Sequence, residues 1–163
     1  MDADDLKPLT ERVLKACKHR KCLVATAESC TGGLIVAQMT QIPGASSYVD
    51  RGFVTYSNDA KIEMLGVSPD TLEKYGAVSR ETALEMAAGA LRHSHAGVAI
   101  AVTGIAGPDG GSKEKPVGLV WFGLAVSGRP TYAEHRIFEN KGREFVQHET
   151  VRHALEMTLA ALE

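Results

Sequence analysis

Apolar positions along the chain switch between a helical and an extended period, and the switches mark the elements. Between Asp4 and about Lys18, Leu6, Leu9, Val13 and Ala16/Cys17 recur at helical spacing and predict an amphipathic helix. Leu23 to Ala27 is a short apolar run that reads as a buried strand. It stops at Glu28-Ser29-Cys30-Thr31-Gly32-Gly33. Leu34 to Met39 is apolar again and predicts a helix ended by Pro43-Gly44. Arg51 to Tyr56 has the β-branched and aromatic content of a strand. Asp59 to Leu65 predicts a short helix closed by Gly66, and Ser68-Pro69 opens another with proline at the first helical position. Ser79 is placed to cap a helix from Arg80 to about His93, with Leu84, Ala87, Ala88 and Leu91 on one face.

Gly97 to Val102 is apolar without interruption, as a central strand covered on both faces must be. It runs into the glycine-rich stretch 103–111. Val117 to Val126 and Thr131 to Phe138 predict an antiparallel hairpin turned around Ser127-Gly128-Arg129-Pro130. A last helix starts near Gly142 and places Val151, Leu155, Thr158/Leu159 and Leu162 on one side. Helices alternating with strands, followed by a hairpin and a helix, predict one α/β domain over 1–163. Its architecture is three layers, α/β/α, around a mixed sheet. The pattern leaves the strand order open.

Composition narrows the class. A chain of 163 residues with 44% hydrophobic residues suits one globular domain with a sizeable core. The net charge of −2 gives no electrostatic reason to expect nucleic acid or an anionic membrane as partner. No run of about 18 apolar residues predicts a membrane-spanning helix. The start, MDADDLKPLTERV, lacks the basic and apolar blocks of a secretory signal. Cys17, Cys22 and Cys30 are an odd set without metal or disulfide spacing, so a cytoplasmic setting is expected.

Two places share one arrangement: an apolar strand ending abruptly in small residues. In open α/β sheets ligands bind beyond the carboxyl ends of strands. Glycines there let backbone N–H groups approach a phosphate or a developing oxyanion. At the first place, Ser29 stands where a helix dipole would favour negative charge on its oxygen, or Ser29 or Thr31 merely caps that helix. At the second, residues 103–111 form either a ligand cradle or an ordinary turn. Neither is a phosphate-binding GxxxxGK[ST] loop or a GxGxxG fingerprint.

A serine nucleophile needs a base. His19, His93, His95, His135, His148 and His153 all lie away from the glycine-rich loops in sequence. Lys61, which follows the Arg51–Tyr56 strand closely, is the other option. It acts as a base only if burial or nearby positive charge depresses its pKa, and it otherwise reads as a solvated surface charge.

Taken together, these blocks resemble the CinA C-terminal domain family, whose characterised members are nicotinamide-nucleotide amidohydrolases. The matching stretches are Thr26 to Gly33, Gly52 with Val54 to Asn58 and Lys61, Leu65 to Val67, Gly76 to Ser79, Thr103 to Gly111, Pro116 to Gly118, and Gly142-Arg143. They span about residues 7–160. One departure stands at 140–143, where the family more often has an acidic residue between the glycine and the arginine. The amino-terminal domain found in longer family members is expected to be missing.

The resemblance implies hydrolysis of the carboxamide of nicotinamide mononucleotide, a reaction of the pyridine nucleotide cycle. It implies Ser29 as nucleophile, Lys61 as its base and Tyr56 as helper, with Ser47, Thr103 and Arg143 contacting or orienting the substrate. Backbone N–H groups from Cys30, Thr31, Gly32 and Gly33 are placed to hold the oxyanion. Gly104, Gly107 and the rest of the 104–111 loop share with Arg143 the candidacy for the phosphate. No metal or cofactor is expected, and a symmetric homo-oligomer is the expected assembly. The alternative is a non-catalytic nucleotide- or partner-binding module linked to competence or DNA damage.

Overall fold

A computed structural model describes residues 3–163, with side chains from Asp5 onward; Met1 and Asp2, part of the 1–163 domain assignment, lie outside the described residues. Five strands form one sheet: β1 (Val24–Glu28), β2 (Val49–Val54), β3 (Val98–Gly104), β4 (Leu119–Val126) and β5 (Tyr132–Ile137). Their order is β2-β1-β3-β4-β5. β1 is parallel to both neighbours, whereas β3–β4 and β4–β5 pair antiparallel. The sheet is therefore mixed.

Six helices cover it: α1 (Lys7–Arg20), α2 (Leu34–Thr40), α3 (Asn58–Leu65), α4 (Pro69–Tyr75), α5 (Arg80–Arg92) and α6 (Arg143–Leu162). A short 3₁₀ turn, Ala3–Leu6, leads into α1. On one face α1, α2 and α6 pack over Val24, Val98, Ile100, Val102, Val120 and Phe122. On the other, α3, α4 and α5 pack over Ala25, Ala27, Ala99, Ala101 and Ala125. The three-layer α/β/α fold follows from strands β1 and β3 being apolar on both faces.

The two faces differ in the size of their residues, and this corrects the reading of α5. Leucine spacing puts Leu84, Ala87, Ala88 and Leu91 inward. In the structure the buried face is Thr82, Ala83, Met86, Ala87, Gly89 and Ala90. Leu84, Ala88 and Leu91 are only half-buried. The cause is close approach. A Cβ at Gly123 of β4 would fall on the carbonyl oxygen of Ala83, and one at Gly89 on that of Leu65. Where α5 comes this close to the alanine-lined sheet its buried face is mostly small, with Met86 the one long side chain on it, and the leucines are rotated aside.

β2 also starts two residues earlier than its β-branched run suggests. Pairing begins at Val24↔Val49 and ends at Glu28↔Val54. Thr55 and Tyr56 therefore lie beyond the strand, where their carbonyls are free to turn towards a side chain.

Candidate active site

Because β1, β2 and β3 are parallel, their carboxyl ends meet at one edge of the sheet. The chain leaves that edge at Ser29, Thr55 and Gly104. The backbone there is tied across strands: the Ser29 N–H donates to the Val102 carbonyl at 3.1 Å, and the Thr55 N–H to the Glu28 carbonyl at 2.9 Å.

α3 starts just past β2, capped by Ser57, whose hydroxyl accepts from the Ala60 N–H. Lys61 sits in its first turns. Helical side chains lean towards the helix N-terminus, which carries the Lys61 amine back over the strand ends. Lys61 is 1% exposed. Its Nζ lies 2.9 Å from Ser29 Oγ, 3.0 Å from the Thr55 carbonyl and 3.2 Å from the Tyr56 carbonyl.

Burial holds the Lys61 amine below the ordinary lysine value, with the Cys30 thiol a smaller opposing influence. An uncharged amine has two N–H bonds and one lone pair. In the structure Nζ donates to all three neighbours, the Ser29 hydroxyl and the two carbonyls; once the amine loses a proton, its lone pair can accept from the Ser29 hydroxyl while the carbonyls keep the two N–H bonds.

The thiol next to the serine is held in its unreactive form. Cys30 is 5% exposed, and burial pushes its pKa up to about 12. It stays protonated, and a protonated thiol is a poor nucleophile.

Glu28 is the residue that the sequence pattern overlooks. It is fully buried at the end of β1. One carboxylate oxygen accepts from the Thr31 hydroxyl at 2.7 Å and the Ile35 N–H at 2.8 Å. The other accepts from the Thr26 hydroxyl and the Val36 N–H, each at 3.0 Å. The N-terminus of α2 is thus capped by Glu28, and neither Ser29 nor Thr31 fills that role. The first helical amides are spent on this carboxylate and not on the Ser29 oxygen. An acid directly before a serine and three residues before a threonine was the available signal, since Asp and Glu favour helix starts.

The residues Thr31, Gly32 and Gly33 consequently do not line the cleft. Thr31 is turned to Glu28, the Gly32 N–H donates to the Ser29 carbonyl, and Gly33 enters α2 at φ 107° with Val54 against it. Of that block only Ser29 and Cys30 face the opening. Gln147 of α6 fixes the turn from outside by donating to the Cys30 carbonyl at 3.0 Å.

A cleft of about 310 Å³ opens over Ser29. Tyr56, Lys61, Thr103, Gly104, Gly107 and Arg143 line it as well. Arg143 spans the mouth, donating to the Gly107 carbonyl at 2.8 Å and to the Tyr56 hydroxyl at 3.0 Å. Tyr56 is 62% exposed, and its hydroxyl is paired with Arg143; what touches Lys61 is its backbone carbonyl. The Thr103 hydroxyl donates to the Ala77 carbonyl at 2.8 Å, which draws the loop before α5 against the cleft wall. None of the six histidines lines the cleft.

Ser47 is not brought to this site. It precedes β2, whereas the cleft lies past its far end. Six residues of extended chain span about 20 Å, so in one chain Ser47 and Ser29 are at opposite edges of the sheet.

The chain is similar to known proteins in family, in sequence and in structure. The family model described as CinA C-terminal domain matches residues 6–162. Nicotinamide-nucleotide amidohydrolase PncC of Escherichia coli is 46% identical over 156 residues, which is 96% of this chain and 94% of that protein. A CinA-like protein of Chloroherpeton thalassium is 54% identical over 134 residues; the match covers 80% of this chain but about a third, 32%, of that protein. Among solved structures, the competence/damage inducible protein CihA of Agrobacterium tumefaciens superposes with a TM-score of 0.93 at 52% identity, covering 97% of this chain and 95% of that one.

Proposed function

The chain belongs to the CinA C-terminal domain family, and from that premise we propose that it hydrolyses the carboxamide of nicotinamide mononucleotide, with Ser29 as nucleophile and Lys61 as general base. The single observation that carries the reading is the 2.9 Å contact between the buried Lys61 amine and the Ser29 hydroxyl. The similarity to the E. coli amidohydrolase over nearly the full length of both chains supports the substrate.

In this reading neutral Lys61 takes the Ser29 proton as Oγ bonds to the carboxamide carbon. The carbonyl oxygen becomes an oxyanion, to which the Cys30 backbone N–H donates. Such a donor is worth about 3 to 4 kcal/mol of barrier in comparable enzymes. Collapse breaks the C–N bond, and the Lys61 ammonium returns its proton to the leaving nitrogen, releasing ammonia. The Ser29 ester remains. Water then attacks it, Lys61 accepts the water's proton and passes it to Ser29 Oγ, and nicotinate mononucleotide leaves. The net change is amide plus water to carboxylate plus ammonium. Arg143, held only by the neutral Gly107 carbonyl and Tyr56 hydroxyl among the described residues, supplies the positive charge for the phosphate.

Ammonia release from nicotinamide mononucleotide by the purified protein tests the reading. Release that disappears in Ser29→Ala supports it. Equal release in both proteins would take Ser29 out of the mechanism, and release absent from both while the mononucleotide still binds would leave only a binding module.

A further inference from the structure

Resting on the mononucleotide reading, we infer that Asp109 is the residue that reads the ribose, accepting hydrogen bonds from its two vicinal hydroxyls. Asp109 is the only carboxylate among the described residues lining the cleft over Ser29. Among the described residues nothing pairs with it, although the Arg143 guanidinium shares the same cleft. No ion pair joins the positive and negative groups of the cleft among the described residues.

The loop that carries Asp109 is held at both ends. Arg143 donates to the Gly107 carbonyl at 2.8 Å. Past the tip, the Ser112 N–H donates to the Lys115 carbonyl at 2.7 Å, and the Lys115 N–H to the Ser112 hydroxyl at 3.1 Å. Gly107 and Gly111 adopt φ of 83° and 84°, and a Cβ on either would press on Val117. A carboxylate on such a pinned loop is presented at a defined place, which lowers the entropy lost when a ligand is bound.

A pyridine mononucleotide has three chemically different parts: a carboxamide, a vicinal diol and a phosphate. The cleft offers three matching groups: Ser29 with Lys61, Asp109, and Arg143. A carboxylate accepts from both hydroxyls of a diol at once, the chemistry by which an acidic residue holds ribose in dinucleotide-binding folds. A carboxylate near the phosphate would be repulsive, and the carboxamide is taken by Ser29 and Lys61, so the diol is the hydrogen-bonding part of the substrate left for Asp109. Asp109 thereby distinguishes nucleotides from the free pyridine carboxamide.

The test is a cycle of two proteins and two substrates. kcat/KM is measured for nicotinamide mononucleotide and for its 2′,3′-dideoxy analogue, with wild type and Asp109→Ala. Loss of the diol should lower kcat/KM of wild type by about 10- to 100-fold, the scale of hydrogen bonds to a charged group. The same loss should lower it less than about threefold in Asp109→Ala. An equal penalty in both proteins would overturn the assignment while leaving the amidase reading intact. If Asp109→Ala unfolds, Asp109→Asn carries the same cycle with the charge alone removed. If wild type releases no ammonia the amidase reading falls by itself. The cycle is then read as calorimetric dissociation constants, and equal penalties again overturn the role of Asp109.

Discussion

The Lys61 amine and the Ser29 hydroxyl, 32 residues apart in the chain, lie 2.9 Å apart at the carboxyl edge of the sheet. The contact is made by a helix whose first turn carries the lysine back over the strand that preceded it. It is closed to solvent on the lysine side, since Lys61 is 1% exposed. A charged amine in that place forgoes hydration, and this is why its pKa lies below the ordinary lysine value.

Removing the proposed base should therefore cost rate more than binding. Lys61→Ala is expected to lower kcat for nicotinamide mononucleotide by about 10²- to 10⁴-fold, with KM changed far less. Lys61→Arg should not rescue it, because a guanidinium keeps its proton at any working pH. Steady-state kinetics on the two variants checks both statements. Near-wild-type kcat in either would take Lys61 out of the mechanism.

The pH dependence follows from the same group. Burial places the Lys61 pKa below its ordinary value of 10.5. Activity should rise with pH as the amine loses its proton and level off before 10.5. The stability effect has the same sign. Between the folded and unfolded pKa values the unfolded chain binds the extra proton, so wild-type stability rises with pH across that window. Lys61→Met lacks the group. The stability of wild type relative to Lys61→Met should thus grow as pH rises towards 10.5 and then flatten. Urea unfolding at a series of pH values measures it, and a difference that shrinks with pH would contradict a depressed lysine.

Glu28 should matter for stability as well as for turnover. Its carboxylate accepts four hydrogen bonds, two of them from the first amides of α2. Glu28→Ala leaves those donors buried without a partner. The expected loss is about 3 kcal/mol or more, since each unsatisfied buried group costs about 1 to 3 kcal/mol. Chemical denaturation gives the value, and a loss under about 1 kcal/mol would mean that water replaces the carboxylate freely.

Arg143 makes a prediction that separates substrate parts. Arg143→Ala should raise KM for nicotinamide mononucleotide by about 10- to 100-fold, the worth of a charged hydrogen bond. Slow hydrolysis of the corresponding riboside, which has no phosphate, should change little. Equal effects on both compounds would show that Arg143 acts by holding Tyr56 and Gly107 in place.

The close packing of α5 gives a control away from the site. Gly123→Ala puts a methyl group against the Ala83 carbonyl. Overpacking of this kind costs about 1 to 3 kcal/mol. Thermal unfolding should show a lower midpoint for this variant, and an unchanged midpoint would mean that α5 can move off the sheet without penalty.

Much of this protein is legible from residue order alone, wherever the determining forces are local. β1 and β3 announce themselves because a strand buried on both faces must be apolar throughout. Gly66, Ser68 and Ser79 mark helix ends because their backbone or hydroxyl chemistry acts within one turn. The small-residue loops after Ala27 and Val102 point to the cleft, because chain turns at strand ends need them. What residue order leaves undecided depends on partners distant in the chain. The β2-β1-β3-β4-β5 order is a choice among non-local pairings. The inward face of α5 is set by how closely Gly123 lets the helix approach, which no period within α5 encodes. Lys61 has the type of a surface residue, and Glu28 that of a helix-start charge; only the assembled layers bury them and give each its partners. Ser47, which the resemblance implies for the substrate, lies before β2 and so at the opposite edge of the sheet within one chain, a placement that only the strand's direction in the sheet decides. Local stereochemistry wrote the elements, and the free energy of burying them against one another decided which side chains meet.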